Sequence, residues 1–234
     1  MAVQTGGGAS ANLGSDVSID DYSQKSVLGH YRTQIGTNQT HDIVEKSDNN
    51  AVTPTGFQKS LVRALAGEAN CHVLYTQNFS LTDGTWVTAN NSVARLVPQH
   101  IAVVYDRGGT GNDPDIYIEG TLQAETETGT PTGAANIADD AENLDLVTSS
   151  PDEYVAFLCI DQTLYTAADV NRHRWWGVAP GGPSTVDIWH PFLSSTNTLN
   201  KGAATATLAG TTAFDNTLVP RVERMHGSFM GVGR

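Results

Sequence analysis

Two apolar runs near the middle of the chain predict a β-hairpin. Residues 100–105 and 115–119 are rich in Ile, Val and Tyr, and the segment between them holds the Asp, Gly, Asn and Pro that are typical of turns. In the second run apolar and polar positions alternate, which predicts one buried and one solvated face. The first run has no polar residue after its histidine, which predicts a strand covered on both faces.

Shorter strand-like segments occur on both sides of this hairpin and are separated by clusters of Gly, Asn and Pro. They cover residues 26–36, 40–46, 71–81, 85–88 and 153–159. Segment 57–66 fits either a strand or a short helix, because Leu61, Val62 and Leu65 also have helical spacing. The succession predicts an antiparallel sandwich or jelly roll rather than alternating βα units.

Three further patterns predict local structure. The pair Asp83-Gly84 predicts a tight type I′ turn between two strands. Residues 126–145 are acidic and rich in Thr, Gly and Ala, and they predict an exposed loop. The sequence Thr166-Ala167-Ala168-Asp169 is a capping box, so we expect one short helix, Ala167–Trp176, that ends at Gly177.

The composition of the two ends differs from that of the middle. Residues 1–24 are rich in Gly, Ser and Ala, so they bury little surface and predict a flexible N-terminal arm. Residues 25–176 form the predicted jelly-roll domain. Residues 177–234 are a C-terminal extension, with closing strands expected at 186–192 and 203–209 and a small basic tail at 221–234.

The overall charge and length exclude several classes of protein. A net charge of −12 over 234 residues argues against nucleic-acid binding, which needs a basic surface. No apolar run approaches the roughly 18 residues of a membrane span, and the first residues lack a secretory signal. Cys71 and Cys159 lie in apolar surroundings, so we expect each to be a small buried residue, with a disulfide as the less favoured alternative.

The central hairpin resembles the concanavalin A-like, laminin G-type jelly roll. His100-Ile101-Ala102-Val103-Val104-Tyr105-Asp106, followed by Ile116-Tyr117-Ile118-Glu119-Gly120, resembles two strands of that family. Leu164-Tyr165-Thr166-Ala167-Ala168-Asp169-Val170 resembles a later segment, with one inserted residue. The loop Gly111-Asn112-Asp113-Pro114-Asp115 is similar to copies found in structural proteins of tailed bacteriophages. The resemblance covers residues 55–176 and implies a binding or assembly module.

Metal-binding residues are also suggested by this loop. Gly108 to Asp113 match the start of a calcium-binding nonapeptide, but only one copy is present, and a long hairpin loop explains the glycines better. Since laminin G-type domains sometimes bind calcium at the sandwich rim, the resemblance implies Asp106, Asp113 and Asp115 as candidate calcium ligands. The seven histidines are scattered along the sequence, so we expect no zinc site.

The end of the predicted helix carries the most unusual short run. Arg172, Arg174, Trp175 and Trp176, together with Trp189, are candidates for binding a partner protein or a glycan, because Arg and Trp stack on sugars and are favoured at interfaces. Alternatively, Val170, His173 and one tryptophan pack the helix on the sandwich.

Taken together, these features predict a non-enzymatic virion structural protein of a tailed bacteriophage. We expect a capsid decoration (cement) protein that contacts the major capsid protein or other virion proteins and forms a homo-oligomer. The alternative is a lectin-like, carbohydrate-binding module for host adsorption that uses Trp86, Trp175, Trp176 or Trp189 as stacking platforms. A glycosidase is disfavoured because the sequence has no E-x-D-x-x-E strand.

Overall fold

The structure is a computed structural model. It describes residues 2–5, 11–12, 24–32, 39–47, 56–63, 71–94, 97–134, 142–146, 153–176, 188–190 and 212–215. No helix in these ranges is both long enough and apolar enough to cross a membrane.

The described residues form fifteen β-strands and one α-helix, numbered here in chain order. They are β1 (Ala2–Thr5), β2 (Ala11–Asn12), β3 (Gln24–Arg32), β4 (Gln39–Ser47), β5 (Gly56–Arg63), β6 (Cys71–Gln77), β7 (Gly84–Thr88), β8 (Gln99–Asp106), β9 (Asp115–Ile118), β10 (Thr121–Leu122), β11 (Glu125–Gly129), β12 (Asp145–Leu146), β13 (Glu153–Asp161), α1 (Ala167–Trp176), β14 (Ile188–His190) and β15 (Thr212–Asp215).

All strand pairs are antiparallel and they build two sheets. The eight-stranded sheet has the order β10-β9-β8-β3-β13-β1-β15, and β14 also pairs with β13. The seven-stranded sheet has the order β11-β7-β6-β5-β4-β12-β2. The prediction of an all-β antiparallel sandwich with one short helix is confirmed.

The central hairpin is formed by β8 and β9, as predicted. Ile101 pairs with Ile118 and Val104 pairs with Asp115. Every residue of β8 between its two ends is buried, which confirms that this apolar strand is covered on both faces. The two covers are different, since one is the second sheet and the other is the helix.

The inner face of the eight-stranded sheet packs on the seven-stranded sheet through aromatic rings. The ring centroid of Tyr105 in β8 lies 5.7 Å from that of Tyr75 in β6 and 5.2 Å from that of Trp86 in β7. Beside them, Lys25 Nζ in β3 donates to Gln77 Oε1 in β6 at 3.0 Å, and both side chains are fully buried. This hydrogen bond satisfies a buried ammonium group that would otherwise oppose packing of the sheets.

The outer face of the same sheet is covered by α1 and by the segment before it. A buried cluster joins the two layers and consists of Leu28, Ala102, Val104, Tyr117, Cys159, Tyr165 and Val170. Tyr165 OH donates to Asp161 Oδ2 at 2.6 Å, and the Tyr165 amide donates to Ser26 Oγ at 2.9 Å. These bonds fix the entry to the helix against β3 and β13.

The capping box forms as predicted. The Asp169 amide donates to Thr166 Oγ1 at 3.3 Å, and the Thr166 amide donates to Asp169 Oδ2 at 3.1 Å. The bounds of α1 match the predicted helix, whereas its predicted end at Gly177 lies outside the described residues.

The predicted turn at Asp83-Gly84 is wrong. Gly84 is the first residue of β7 and pairs with Gln77, so residues 78–83 form the loop between β6 and β7. A Cβ atom at Gly84 would overlap the ring of Trp86, which explains the glycine by close packing rather than by turn geometry.

The predicted exposed loop at 126–145 is wrong in part. Residues 125–129 form β11, which pairs with β7 at the edge of the seven-stranded sheet, and β12 begins at Asp145. The side chains of β11 are mostly exposed, so no apolar alternation marks this strand in the sequence. Segment 57–66 fitted a strand or a helix, and its residues 57–63 belong to the strand β5.

Parts of both chain ends belong to the sheets. Within the predicted arm, β1 pairs with β13 and β15, and β2 pairs with β12, so these two segments are ordered by backbone pairing. In the extension, β14 lies inside the expected strand at 186–192, and β15 follows the expected one at 203–209. Gln24, the last residue of the predicted arm, begins β3. Residues 203–209, the basic tail, and residues 1, 6–10 and 13–23 of the arm lie outside the described residues. Cys159 is buried, and its Sγ lies 3.7 Å from Tyr165 OH.

Candidate functional site

A two-residue turn between β9 and β10 lies against α1. Glu119 and Gly120 have φ angles of 53° and 75°, and Ile118 pairs with Thr121 across them, which is the geometry of a type I′ turn. A Cβ atom at Gly120 would overlap the Asn171 side chain of α1. The turn therefore needs glycine at Gly120 for both its backbone angle and its close approach to the helix.

Glu119 connects this turn to β8 and to the helix. Its Oε1 accepts a hydrogen bond from the His100 amide at 2.7 Å, and its own amide donates to the His100 carbonyl at 2.8 Å. Its Oε2 accepts from Arg174 Nε at 2.9 Å and lies 2.7 Å from Arg174 Nη2. The carboxylate thus holds the last turn of α1 at a fixed position over the sheet.

Trp175 extends this arrangement to the surface. The Arg174 guanidinium carbon lies 4.5 Å from the centroid of the Trp175 ring, a cation–π contact. Trp175 is 45% exposed, although it is one of the largest apolar side chains in the protein. Because Arg174 is held by Glu119, the ring is an exposed platform with a defined orientation.

The other predicted binding residues are distributed as follows. Arg172 is exposed on the same helix. The backbones of Trp176 and Trp189 lie in α1 and β14, and their side chains lie outside the described residues. Trp86 is fully buried and its Nε1 donates to Asp113 Oδ1 at 2.8 Å, so the prediction of Trp86 as a stacking platform is wrong.

Three histidines from three different elements meet between α1 and the eight-stranded sheet. His30 of β3 and His100 of β8 are cross-strand partners, and His173 of α1 lies over them. His100 Nε2 and His173 Nδ1 are 2.9 Å apart and share a hydrogen bond. One ligand nitrogen from each of the three rings lies within 4.8 Å of the other two, and all three side chains are buried. These residues are called the histidine cluster below.

Burial changes the protonation of His30. Loss of hydration lowers the pKa of His30 to about 4, because a buried imidazolium is costly. The Glu119 carboxylate and a backbone hydrogen bond with His173 oppose this fall in the pKa, and Arg174 adds to it. The imidazole of His30 is therefore neutral at pH 7, the form that binds metal ions.

From the sequence we expected no zinc site because the histidines are scattered along the chain, whereas the structure brings three of them together. His100 and His173 are 73 residues apart in sequence, so no short spacing motif connects them. Two weaker signals were present. His30 and Leu28 have the same parity in one strand-like segment, and His173 follows Val170 by three residues, which places each histidine on the face of its apolar neighbour.

The three aspartates proposed as calcium ligands lie at the far end of the hairpin. Asp106 Oδ1 accepts from the Gly108 amide at 2.8 Å, which is a turn contact, and Asp113 is bonded to Trp86. Burial raises the pKa of Tyr117, and the neighbouring Asp115 carboxylate raises it further. Among the described residues, the histidine cluster brings three potential metal ligands within 4.8 Å of one another. Calcium binding by the three aspartates stays a prediction.

Comparisons with known proteins agree on the fold. No family model and no curated protein sequence matches the chain. A heptameric SAP-like pentraxin from Limulus polyphemus matches with a TM-score of 0.55 and 8% identity, over 91% of this chain and 93% of the pentraxin.

This chain also matches part of two larger solved structures. The binding domain of botulinum neurotoxin DC in complex with SialylT matches with a TM-score of 0.50 and 13% identity, over 74% of this chain and 44% of that domain. The enzymatically active domain of bacteriophage CBA120 tailspike protein 2 matches with a TM-score of 0.50 and 11% identity, over 82% of this chain and 28% of its own. At such identities the likeness concerns the fold alone, and this chain has the concanavalin A-like jelly-roll fold, with a sandwich similar to that of a pentraxin.

Proposed function

We propose that this protein is a non-enzymatic, lectin-like module that binds glycans, and that it acts on a tailed-bacteriophage virion during host adsorption. The observation that carries the proposal is the exposed ring of Trp175, held in place by Arg174 and Glu119. Support also comes from two proteins with a similar fold. One is a neurotoxin binding domain whose structure was solved in complex with SialylT, and the other is a phage tailspike domain.

The chemistry of the Trp175 platform suits a sugar. An indole face packs on the apolar C–H face of a pyranose ring, and a ring that is already fixed loses little conformational freedom on binding. Arg172 is exposed three residues earlier, so it lies on a neighbouring part of the helix surface. Its guanidinium can donate hydrogen bonds to hydroxyl or carboxylate oxygens of the same glycan.

The proposal excludes hydrolysis of the bound glycan. A retaining glycosidase needs two carboxyl groups about 5 Å apart at the scissile bond. Glu119 is bonded to Arg174 beside the Trp175 platform, and both of its oxygens are engaged, one with the His100 amide and one with Arg174. Glu119 is therefore a positioning residue for the helix end in this proposal.

A glycan array tests the proposal directly. We expect the wild-type protein to bind a restricted set of glycans, and Trp175→Ala to weaken binding of the strongest one by at least about tenfold, or roughly 1.4 kcal/mol. Leu81→Ala is the matched control, since Leu81 is 78% exposed in the loop that joins β6 and β7 of the seven-stranded sheet. Absence of glycan binding by the wild type, or equal binding by Trp175→Ala, contradicts the proposal.

A capsid decoration protein is the second candidate. It is favoured by exposed apolar side chains away from the helix, chiefly Leu81, which a neighbouring subunit would cover. In this case the protein stabilises the shell by burying surface against the major capsid protein, or against copies of itself, rather than by chemistry. Co-purification with capsids, and loss of that association in Leu81→Ala but not in Trp175→Ala, would favour this role over the lectin.

A further inference from the structure

The histidine cluster has the donor set of a transition-metal site. Three imidazole nitrogens come from β3, β8 and α1 and lie within 4.8 Å of one another. Such convergence is unusual for groups far apart in sequence, and each imidazole adds the desolvation cost of a buried polar ring. Imidazole nitrogen is a preferred ligand of Zn²⁺, Co²⁺, Ni²⁺ and Cu²⁺.

We propose that His30, His100 and His173 bind a single Zn²⁺ ion that fastens α1 to the eight-stranded sheet. This inference does not depend on the proposed glycan binding. Three histidine ligands leave a fourth tetrahedral position, which a water molecule can fill.

The rings need only small movements to reach coordination geometry. With Zn–N bonds of about 2.0–2.1 Å, tetrahedral nitrogens lie about 3.3 Å apart. The hydrogen-bonded pair, His100 Nε2 and His173 Nδ1, is now at 2.9 Å and has to open slightly, and the ligand nitrogens of the three rings lie no more than 4.8 Å apart. Rotation of the rings about their side-chain torsions supplies displacements of this size.

Protons balance in this step without a further reactant. In the hydrogen bond between His100 and His173, one ring nitrogen carries a proton and the other accepts it. When the ion binds, the donating ring adopts its other tautomer, and both facing nitrogens offer a lone pair to the metal. A ring that ligates a metal commonly donates its remaining N–H to a carbonyl or carboxylate.

One carboxylate lies beside the cluster. Glu119 accepts a hydrogen bond from the His100 amide and forms an ion pair with Arg174, the residue after His173. Zn²⁺ would join the Glu119–Arg174 pair as a second link between the helix and the sheet. Since Trp175 lies two residues beyond His173, the ion would also fix the helix end that carries the exposed ring.

Cobalt substitution tests the site in the full-length protein. After treatment with EDTA and its removal, titration with Co²⁺ should produce the intense visible absorption of tetrahedral cobalt, saturating at one equivalent, and Zn²⁺ should abolish it. A hundredfold excess of Zn²⁺ over its dissociation constant should raise the melting temperature by about 5–10 °C, and EDTA should reverse the rise.

Histidine variants identify the ligands. His100→Gln and His173→Gln should lose the cobalt spectrum and the rise in melting temperature. His72→Gln should keep both, because His72 is a partly buried histidine of β6 outside the cluster. No tetrahedral spectrum from the wild type, or an unchanged spectrum in a folded His100→Gln protein, overturns the proposal.

X-ray absorption of the wild-type zinc protein keeps the test decisive where a variant fails to fold. The proposal requires three imidazole nitrogens at about 2.0–2.1 Å around one zinc ion. Fewer than three imidazoles, or a mostly oxygen shell, would show adventitious surface binding and would overturn it.

Discussion

The two faces of the eight-stranded sheet are covered in different ways. On the inner face, the ring of Tyr105 packs against those of Tyr75 and Trp86 in the second sheet, and Lys25 Nζ donates to Gln77 Oε1 beside them. On the outer face, one helix is attached by the hydrogen bonds of Tyr165, by Glu119 and by the histidine cluster. We infer that the largest single contributions to stability lie on the inner face, whereas the groups of the proposed glycan and zinc sites lie on the outer face.

The largest effect is expected on the inner face. Trp86→Ala removes the largest fully buried side chain and should lower the free energy of unfolding by about 3–5 kcal/mol, because it leaves a cavity between the sheets. Chemical denaturation monitored by circular dichroism measures the loss. Trp175→Ala is the matched control on the outer face and should change stability by less than about 1 kcal/mol. Similar losses for both variants would contradict the assignment of stability to the inner face.

An acid-dependent loss of stability is expected on the outer face. The pKa of His30 is about 4 in the folded protein, against 6.5 for an ordinary histidine in an unfolded chain. Between these pH values the unfolded chain therefore binds more protons than the folded protein does. The free energy of unfolding is therefore highest above pH 6.5. It falls by about 3 kcal/mol as the pH decreases toward 4. Chemical denaturation at several pH values, with EDTA present to remove metal ions, measures this change in the free energy of unfolding.

The control for this prediction is His30→Gln. The groups that face His30 are His100, His173, Glu119 and Arg174, and they remain in the variant. The difference in unfolding free energy between the two proteins should shrink as the pH falls from 6.5 to 4. A constant difference over that interval would show that His30 is not held neutral by the fold.

A smaller effect is expected at the start of the helix. Thr166→Ala removes the hydroxyl that accepts the Asp169 amide and should lower stability by about 1 kcal/mol. Thr166→Ser keeps the hydroxyl and should restore most of the loss. Hydrogen exchange of the α1 amides should show faster opening of the helix in the alanine variant alone. Equal exchange in the two variants would contradict the role of the capping box.

Local patterns were enough to predict the parts of the fold that depend on neighbouring residues. The β8–β9 hairpin followed from apolar runs and turn residues, and α1 followed from its capping box. Strands β1 and β11 escaped prediction because backbone pairing orders them, whereas their composition resembles that of loops. The histidine cluster escaped because its members meet only after β3, β8 and α1 have packed together.

The site residues also divide into those that local sequence predicts and those that depend on the packed fold. Arg174 and Trp175 were predicted from composition and do form a surface contact, but their partner Glu119 was read only as the end of a strand. Its role depends on a turn with two positive φ angles that brings its carboxylate under the helix.

The most direct test of the binding role of the outer face is amide chemical-shift mapping. Isotopically labelled protein would be titrated with the strongest glycan from the array, and the perturbed amides would be placed on the fold. We predict that the largest shifts fall in residues 119–122 and 171–175, around Glu119, Arg174 and Trp175. Shifts confined to the aspartate loop at residues 108–113, with the helix unaffected, would contradict the account.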